Sequence, residues 1–189
     1  MLTAFIAGIT SLSINAQTSF GVKTGMNFAI IAAEYSDDYK SKIGYTIGAF
    51  AEIDISETIS LQPELLFSAQ GAKYEDTRPN SPLVGLPTDL KANYIILPIM
   101  LKYAVTEKIN IEAGPQIGLL LAAEIYDTDY KDQVESIDFG ANFGISYDFS
   151  DVLFAQARYN LGLTNLLKDS AEDKVKNSVL SISFGYKFI

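Results

Sequence analysis

Asn177 to Ile189 reads NSVLSISFGYKFI. Leu180, Ile182, Phe184, Tyr186 and Phe188 fall on one parity, and Ser181, Ser183, Gly185 and Lys187 on the other. A period of two marks a pleated strand with one apolar and one polar face. A single strand of this kind suits a soluble sandwich as well as a barrel. The same alternation recurs seven times upstream, and that recurrence decides the architecture.

The earlier segments are Ser19–Ile31, Ile43–Asp54, Thr58–Gln70, Asn93–Tyr103, Ile109–Leu121, Ser136–Asp148 and Val152–Leu163. The sixth is the cleanest: Ile137, Phe139, Ala141, Phe143, Ile145 and Tyr147 oppose Asp138, Gly140, Asn142, Gly144 and Ser146. The fourth contains the nearly continuous apolar run YIILPIML. Its phase puts Ile95, Leu97, Ile99, Leu101 and Tyr103 opposite Tyr94, Ile96, Pro98, Met100 and Lys102. Links between segments alternate long and short, from Ala32–Lys42 and Ser56–Glu57 through to Thr164–Lys176. Antiparallel strands give this rhythm when loops gather at one end of a barrel and tight turns at the other.

The two faces have unusual compositions. One is aliphatic, with Tyr and Phe toward segment ends and almost no charge. The other is rich in Gly, Ser, Asn and Gln with isolated charges, as a crowded lumen of interleaved small and large side chains requires. A soluble sandwich would instead expose Lys, Glu and Thr. The pattern predicts an all-β, eight-stranded, antiparallel up-and-down transmembrane barrel with short periplasmic turns and long extracellular loops. Such a barrel satisfies every backbone group in lipid and leaves no edge. The first and last segments should pair to close it.

At 189 residues the chain is sized for one domain. It contains neither cysteine nor histidine. That removes disulfides, thiolate nucleophiles, the commonest metal ligand and any Ser-His-Asp triad. A formal charge of -9 argues against nucleic acid as a partner. Past the N-terminal region no apolar run is long enough for a helical membrane span. Residues 1–16, ending SLSINA, are expected to be a signal peptide, leaving 17–189 as the barrel domain. Two features depart from the pattern: no basic residue precedes the apolar run, and Ile14 is not small. The alternative is a first buried strand or short helix, but the alternation begins only after Gln17.

GVKTGMNFA, LQPELLFSAQG, YIILPIMLKY, EAGPQIGLLL, DFGANFGISYDFS, ARYNLGLTNL and SISFGYKF resemble successive strands of the outer-membrane β-barrel "porin family" of Bacteroidetes-type bacteria, also called PorT-like. The resemblance covers Gln17 to Ile189. It implies an eight-stranded outer-membrane barrel whose relatives mostly lack an assigned activity. It also carries prolines at Pro63, Pro98 and Pro115, where each removes a ladder hydrogen bond; local bulges are expected there. Ile189 after Phe188 departs from the usual aromatic finish.

The candidate constellation is the inward ionisable set Lys23, Glu52, Glu64, Lys102, Glu112, Asp138, Arg158 and Lys187. An eight-stranded lumen is just wide enough to be filled by side chains, so these charges must pair. The turn near Glu107 sets Lys102 across from Glu112 and predicts an ion pair between them. The set reads as a structural plug in preference to a proton or ion path or a small-molecule site. No catalytic, metal or cofactor residues are assigned. The acidic link with Glu124, Asp127, Asp129, Asp132 and Glu135 alternates acids as a calcium loop does, but lacks the central glycine. It reads as a solvated surface loop. Arg78–Asp89, RPNSPLVGLPTD, is a surface tip or a contact segment.

The expected partners are outer-membrane lipid and, during insertion, the barrel-assembly machinery, with the chain a monomer. The expected role is structural or surface-binding, without catalysis. The alternatives are an accessory role in envelope biogenesis or secretion, and a soluble lipocalin-like carrier with the aliphatic face inside.

Overall fold

The computed structural model describes residues 17–33, 39–75, 87–125, 128–129, 135–165 and 175–188. Eight long strands dominate it. They are β1 (Thr18–Ala33), β2 (Tyr39–Asp54), β3 (Ile59–Glu75), β4 (Pro87–Ala104), β5 (Ile109–Ile125), β6 (Ile137–Asp148), β7 (Leu153–Gly162) and β8 (Val175–Phe188). Each pairs antiparallel with its neighbours in sequence. β1 also pairs with β8, from Phe20 opposite Phe188 to Ala33 opposite Val175. The sheet is closed, as the first and last segments predict. A two-residue ladder, Thr128–Asp129, folds back on the end of β5.

The described ends of the chain, at Gln17 and Phe188, and three tight turns share one end of the barrel. The turns repeat one design, Ile55-Ser56-Glu57-Thr58, Val105-Thr106-Glu107-Lys108 and Phe149-Ser150-Asp151-Val152. In each, the apolar first residue's amide bonds the carbonyl that begins the next strand, at 2.9 Å in all three. The hydroxyl that follows accepts from that strand's first amide, at 3.0–3.2 Å. Hydroxyl side chains mimic a backbone acceptor well in such turns. The repeat fixes all three hairpins in the same way.

Side chains alternate out and in as the sequence predicts. Phe143 and Phe184 are 56% and 60% exposed, and Ile47, Leu101, Ile145 and Ile182 accompany them outward. A soluble carrier would bury these groups, so that alternative is overturned by the observed polarity. Inside lie Lys23, Asn27, Gln62, Glu64, Lys102, Asn142 and Arg158, all buried, with Phe50, Tyr94 and Phe154 among them. Gly21 and Gly185 face inward where a Cβ would collide with the rings of Phe50 and Phe154. Glycine at these places lets an aromatic ring lie flat over the neighbouring strand, where Gly21 pairs with Phe50 and Gly185 with Phe154.

Two expectations need correction. The strands outrun the alternation: β3 reaches Glu75 and β4 begins at Pro87, well inside the stretch read as a link. Ladder hydrogen bonding does not require an apolar face, so the wall continues past the band that the pattern marks. The prolines also form no bulges. Pro63 interrupts the β2–β3 ladder between Phe50↔Glu64 and Ile53↔Leu61, yet the register is the same on both sides. Pro98 pairs with Gln116 and Pro115 with Ala141. The register shifts instead lie at Ser41/Thr46 and Asn93/Tyr94. A missing N–H costs one rung and adds no residue, so the count of paired residues is unchanged. Residues 1–16, and 34–38, 76–86, 126–127, 130–134 and 166–174 within the four long links, lie outside the described residues.

Candidate functional site

β1, β3, β5 and β7 each send polar side chains to the middle of the lumen. Arg158 donates Nη1 and Nη2 to the two oxygens of Glu64, both at 2.8 Å, and Nε to Glu112 at 2.9 Å. Lys23 Nζ reaches Glu64 and Gln156 Oε1, each at 2.8 Å. Gln156 Nε2 donates to the other oxygen of Glu112 at 2.8 Å, and Gln62 Nε2 to Glu64 at 2.6 Å. Two cations and two carboxylates thus form a closed, neutral ring, completed by an amide. Buried charges are tolerable only when matched and hydrogen-bonded in this way.

A second cluster lies toward the turn end and comes from β2, β4 and β8. Glu52 accepts from Lys102 at 2.7 Å and from Lys187 at 3.0 Å. Both ammonium groups also sit over the Phe154 ring, 5.6 and 5.8 Å from its centroid. Phe154 meets Phe50 edge to face at 5.5 Å. Along the strands, Phe50 is one inward step from Glu52 and Phe154 one inward step from Gln156. The aromatic pair therefore occupies the level between the two ionic clusters.

The predicted pair between Lys102 and Glu112 is not formed. The two residues are directly opposite in the β4–β5 ladder, as the turn implied, and both are buried. Glu112 instead takes Arg158 and Gln156, and Lys102 takes Glu52. In a narrow tilted barrel a long side chain spans the lumen, so its nearest counter-charge is set by diameter and stagger more than by hairpin register. Asp138 is the exception in the set. It is buried opposite Gly118 near Tyr94, and its Oδ1 has no partner among the described residues.

Toward the loop end the charges give way to amides. Asn27 Nδ2 and Gln70 Nε2 donate to Ser68 Oγ, at 2.9 and 2.8 Å. Asn160 donates to Asn142, and Asn142 to Gln116, at 3.1 and 3.2 Å. Asn177 donates to Gln70. The sequence places these residues on the polar face but does not foretell their mutual bonds, nor the bridging roles of Gln62 and Gln156. Their only signal is inward parity. Among the described residues no group of three acidic side chains could hold a metal ion. Of the acidic third link, Asp127 and Asp132 lie outside the described residues.

The chain matches the family model of the outer membrane protein β-barrel domain over residues 15–168. No protein of curated function matches it in sequence. Among solved structures it is similar to Neisserial surface protein A of Neisseria, at 18% identity and TM-score 0.62, over 91% of this chain and 99% of that one. It is also similar to the attachment invasion locus protein Ail of Yersinia pestis, in complex with the heparin analogue sucrose octasulfate. The values there are 16%, 0.55, and 91% and 99% of the two chains. OprG of Pseudomonas aeruginosa gives 11% and 0.50 over 92% and 97%. At these identities the likeness concerns the fold alone.

Proposed function

This chain belongs to the outer membrane protein β-barrel domain family and resides in the bacterial outer membrane, and on that premise we propose that it is a non-enzymatic surface barrel whose activity, structural or binding, resides in its long loops. The observation that carries this reading is the lumen. Its mid-level cations and carboxylates satisfy one another at 2.8–2.9 Å, which leaves the interior as a plug that fixes register. The sequence has no histidine or cysteine to support a hydrolytic site of the usual kinds. Loops held on a rigid scaffold are where binding residues concentrate.

The link AEIYDTDYKDQVE is acidic, with five Asp or Glu residues against one Lys. A ligand met by it would be neutral or basic, unlike the polyanion in the Ail complex. The membrane partner is lipid around the apolar band, insertion is through the barrel-assembly machinery, and the working unit is the monomer. The test compares cells displaying the chain with cells displaying a form whose long links are cut to short turns. Binding through the loops predicts that retention on protein and glycan surfaces is lost while the barrel still folds. Equal retention by both forms overturns it.

The seven stretches quoted above favour a second reading, an accessory role in protein secretion of the PorT-like kind in a Bacteroidetes-type bacterium. Deletion of the gene would then block export of other proteins. A normal secretome removes this reading.

A further inference from the structure

The buried lumenal carboxylates are not alike. Glu52, Glu64 and Glu112 each have a lysine or arginine nitrogen at 2.7–3.0 Å. Asp138 is only 7% exposed, yet no cation faces it among the described residues. The Thr164 hydroxyl accepts from the Phe139 amide at 2.8 Å and lies within hydrogen-bonding reach of the carboxylate. Oδ1 has no partner. A hydroxyl or a water can occupy a lone pair, but neither offsets the charge of a buried carboxylate.

Space lies beside that group. Gly118 is directly opposite Asp138 in the β5–β6 ladder. A Cβ built on Gly118 would meet Asp138 Cβ, Ile96 Cγ2 and Tyr94 Cδ1 at 3.5 Å each, ordinary van der Waals separations. At nine other glycines of the wall an added Cβ would come within 3.0 Å of a neighbouring atom. The wall therefore keeps a niche the size of a methyl group next to the one unmatched carboxylate described.

Size and charge together select the occupant. A hard metal ion needs several oxygen ligands, and among the described residues no group of three acidic side chains could hold one. A guanidinium or a quaternary ammonium is larger than the niche. A primary ammonium has nearly the size of a methyl group, carries the missing charge and donates N–H to Oδ1. The approach suits a cation as well. β6 begins at Ile137, two residues after Glu135 and level with Leu119, while β5 runs on past that rung to Glu124 and Ile125. Asp138 thus lies at the loop end, next to the acidic link, whose charge raises the local concentration of cations.

We propose that Asp138 and the niche at Gly118 form a binding site for the ammonium group of a small primary amine, entered from the loop end. The site does not depend on ligand capture by the long links, because the recognising residues belong to β4, β5 and β6.

The probe is methylammonium. Full-length protein is folded in detergent with carboxyl-labelled aspartate, and carbon NMR identifies the Asp138 signal by its loss in Asp138→Asn. Near neutral pH and at constant ionic strength, methylammonium replacing sodium should move that signal saturably. Tetramethylammonium should leave it in place. Gly118→Ala fills the niche in ordinary contact, so the barrel should fold and keep the Asp138 signal. Its half-saturating methylammonium concentration should rise roughly tenfold, as overfilling a packed space implies. The wild-type titrations stand without that variant. A linear response, or an equal one to tetramethylammonium, means an adventitious ion only and overturns the proposal. An Asp138 signal at the position of a neutral acid means that a proton takes the place of the amine, and overturns it too. Unchanged affinity in Gly118→Ala removes the niche from the site.

Discussion

Arg158 on β7 grips Glu64 on β3 through two parallel hydrogen bonds of 2.8 Å, across 94 residues of sequence. The fork geometry fixes distance and orientation together, so this pair sets the relation between opposite walls of the barrel. Arg158→Met leaves Glu64 and Glu112 facing a single ammonium. The expected loss is ~3–5 kcal/mol, the usual result of breaking a buried pair from one side. Glu64→Gln alone strands part of Arg158 in the same way. Together the two changes should cost clearly less than their sum. Urea unfolding from lipid vesicles, followed by tyrosine fluorescence because the chain has no tryptophan, measures the cycle. Additive losses would mean that the pair carries no coupling.

Lys102 has a directly opposite neighbour in Glu112 but bonds Glu52 at 2.7 Å. A double-mutant cycle of Lys102→Met with Glu52→Gln should give a coupling of about 0.5–3 kcal/mol. The cycle with Glu112→Gln should be near additive, within roughly 0.5 kcal/mol. The reverse ranking would restore the hairpin pairing and contradict the observed cluster. Because Glu52 also holds Lys187 of β8, Glu52→Gln should in addition lower the temperature at which the folded gel band shifts.

The sequence legibly encodes what depends on parity. Phe143 outward and Asn142 inward follow from a period of two, and so does the lumenal place of Lys187. Closure of β1 on β8 follows from the even strand number and from unpaired edges being intolerable in lipid. Pairing across the lumen is not encoded in that way. Whether Lys102 finds Glu112 or Glu52 depends on tilt, diameter and the reach of Arg158, none of which is local. The proline positions mislead for a similar reason: a missing donor at Pro63 or Pro115 signals a broken rung, while register depends on the residue count of both strands. The repeated turns from Ile55, Val105 and Phe149 were readable in principle as apolar-hydroxyl-acid triplets at the short links.

Phe154 lies against Gly185, and no Cβ fits between ring and backbone. Gly185→Ala should therefore destabilise the barrel by displacing the ring from its edge contact with Phe50 and from under Lys102 and Lys187. Phe154→Ala should cost ~3–5 kcal/mol, since the ring is fully buried. Phe154→Leu frees space, so adding Gly185→Ala to it should cost much less than the glycine change in the wild type. The same vesicle unfolding assay reads the wild type and all four variants. Equal glycine penalties in both backgrounds would show that the ring is not what the glycine accommodates.

Phe143 stands mid-strand on the outer face, 56% exposed, with Ile145 and Ile182 nearby on the same band. Phe149 is as exposed, at 57%, but sits in a turn at the end of the barrel. In water the two sites would tolerate arginine equally. In lipid they differ, because a cation costs ~2–4 kcal/mol at the bilayer midplane and only ~0–1 near the interface. Phe143→Arg should thus lose about 1–4 kcal/mol more than Phe149→Arg when both are unfolded from vesicles. In detergent micelles, which deform around a charge, the gap should narrow. Equal losses in vesicles would place Phe143 outside the hydrocarbon layer and require the band to be shifted along the barrel axis. The difference between the two variants, and not either value alone, locates the membrane on the wall.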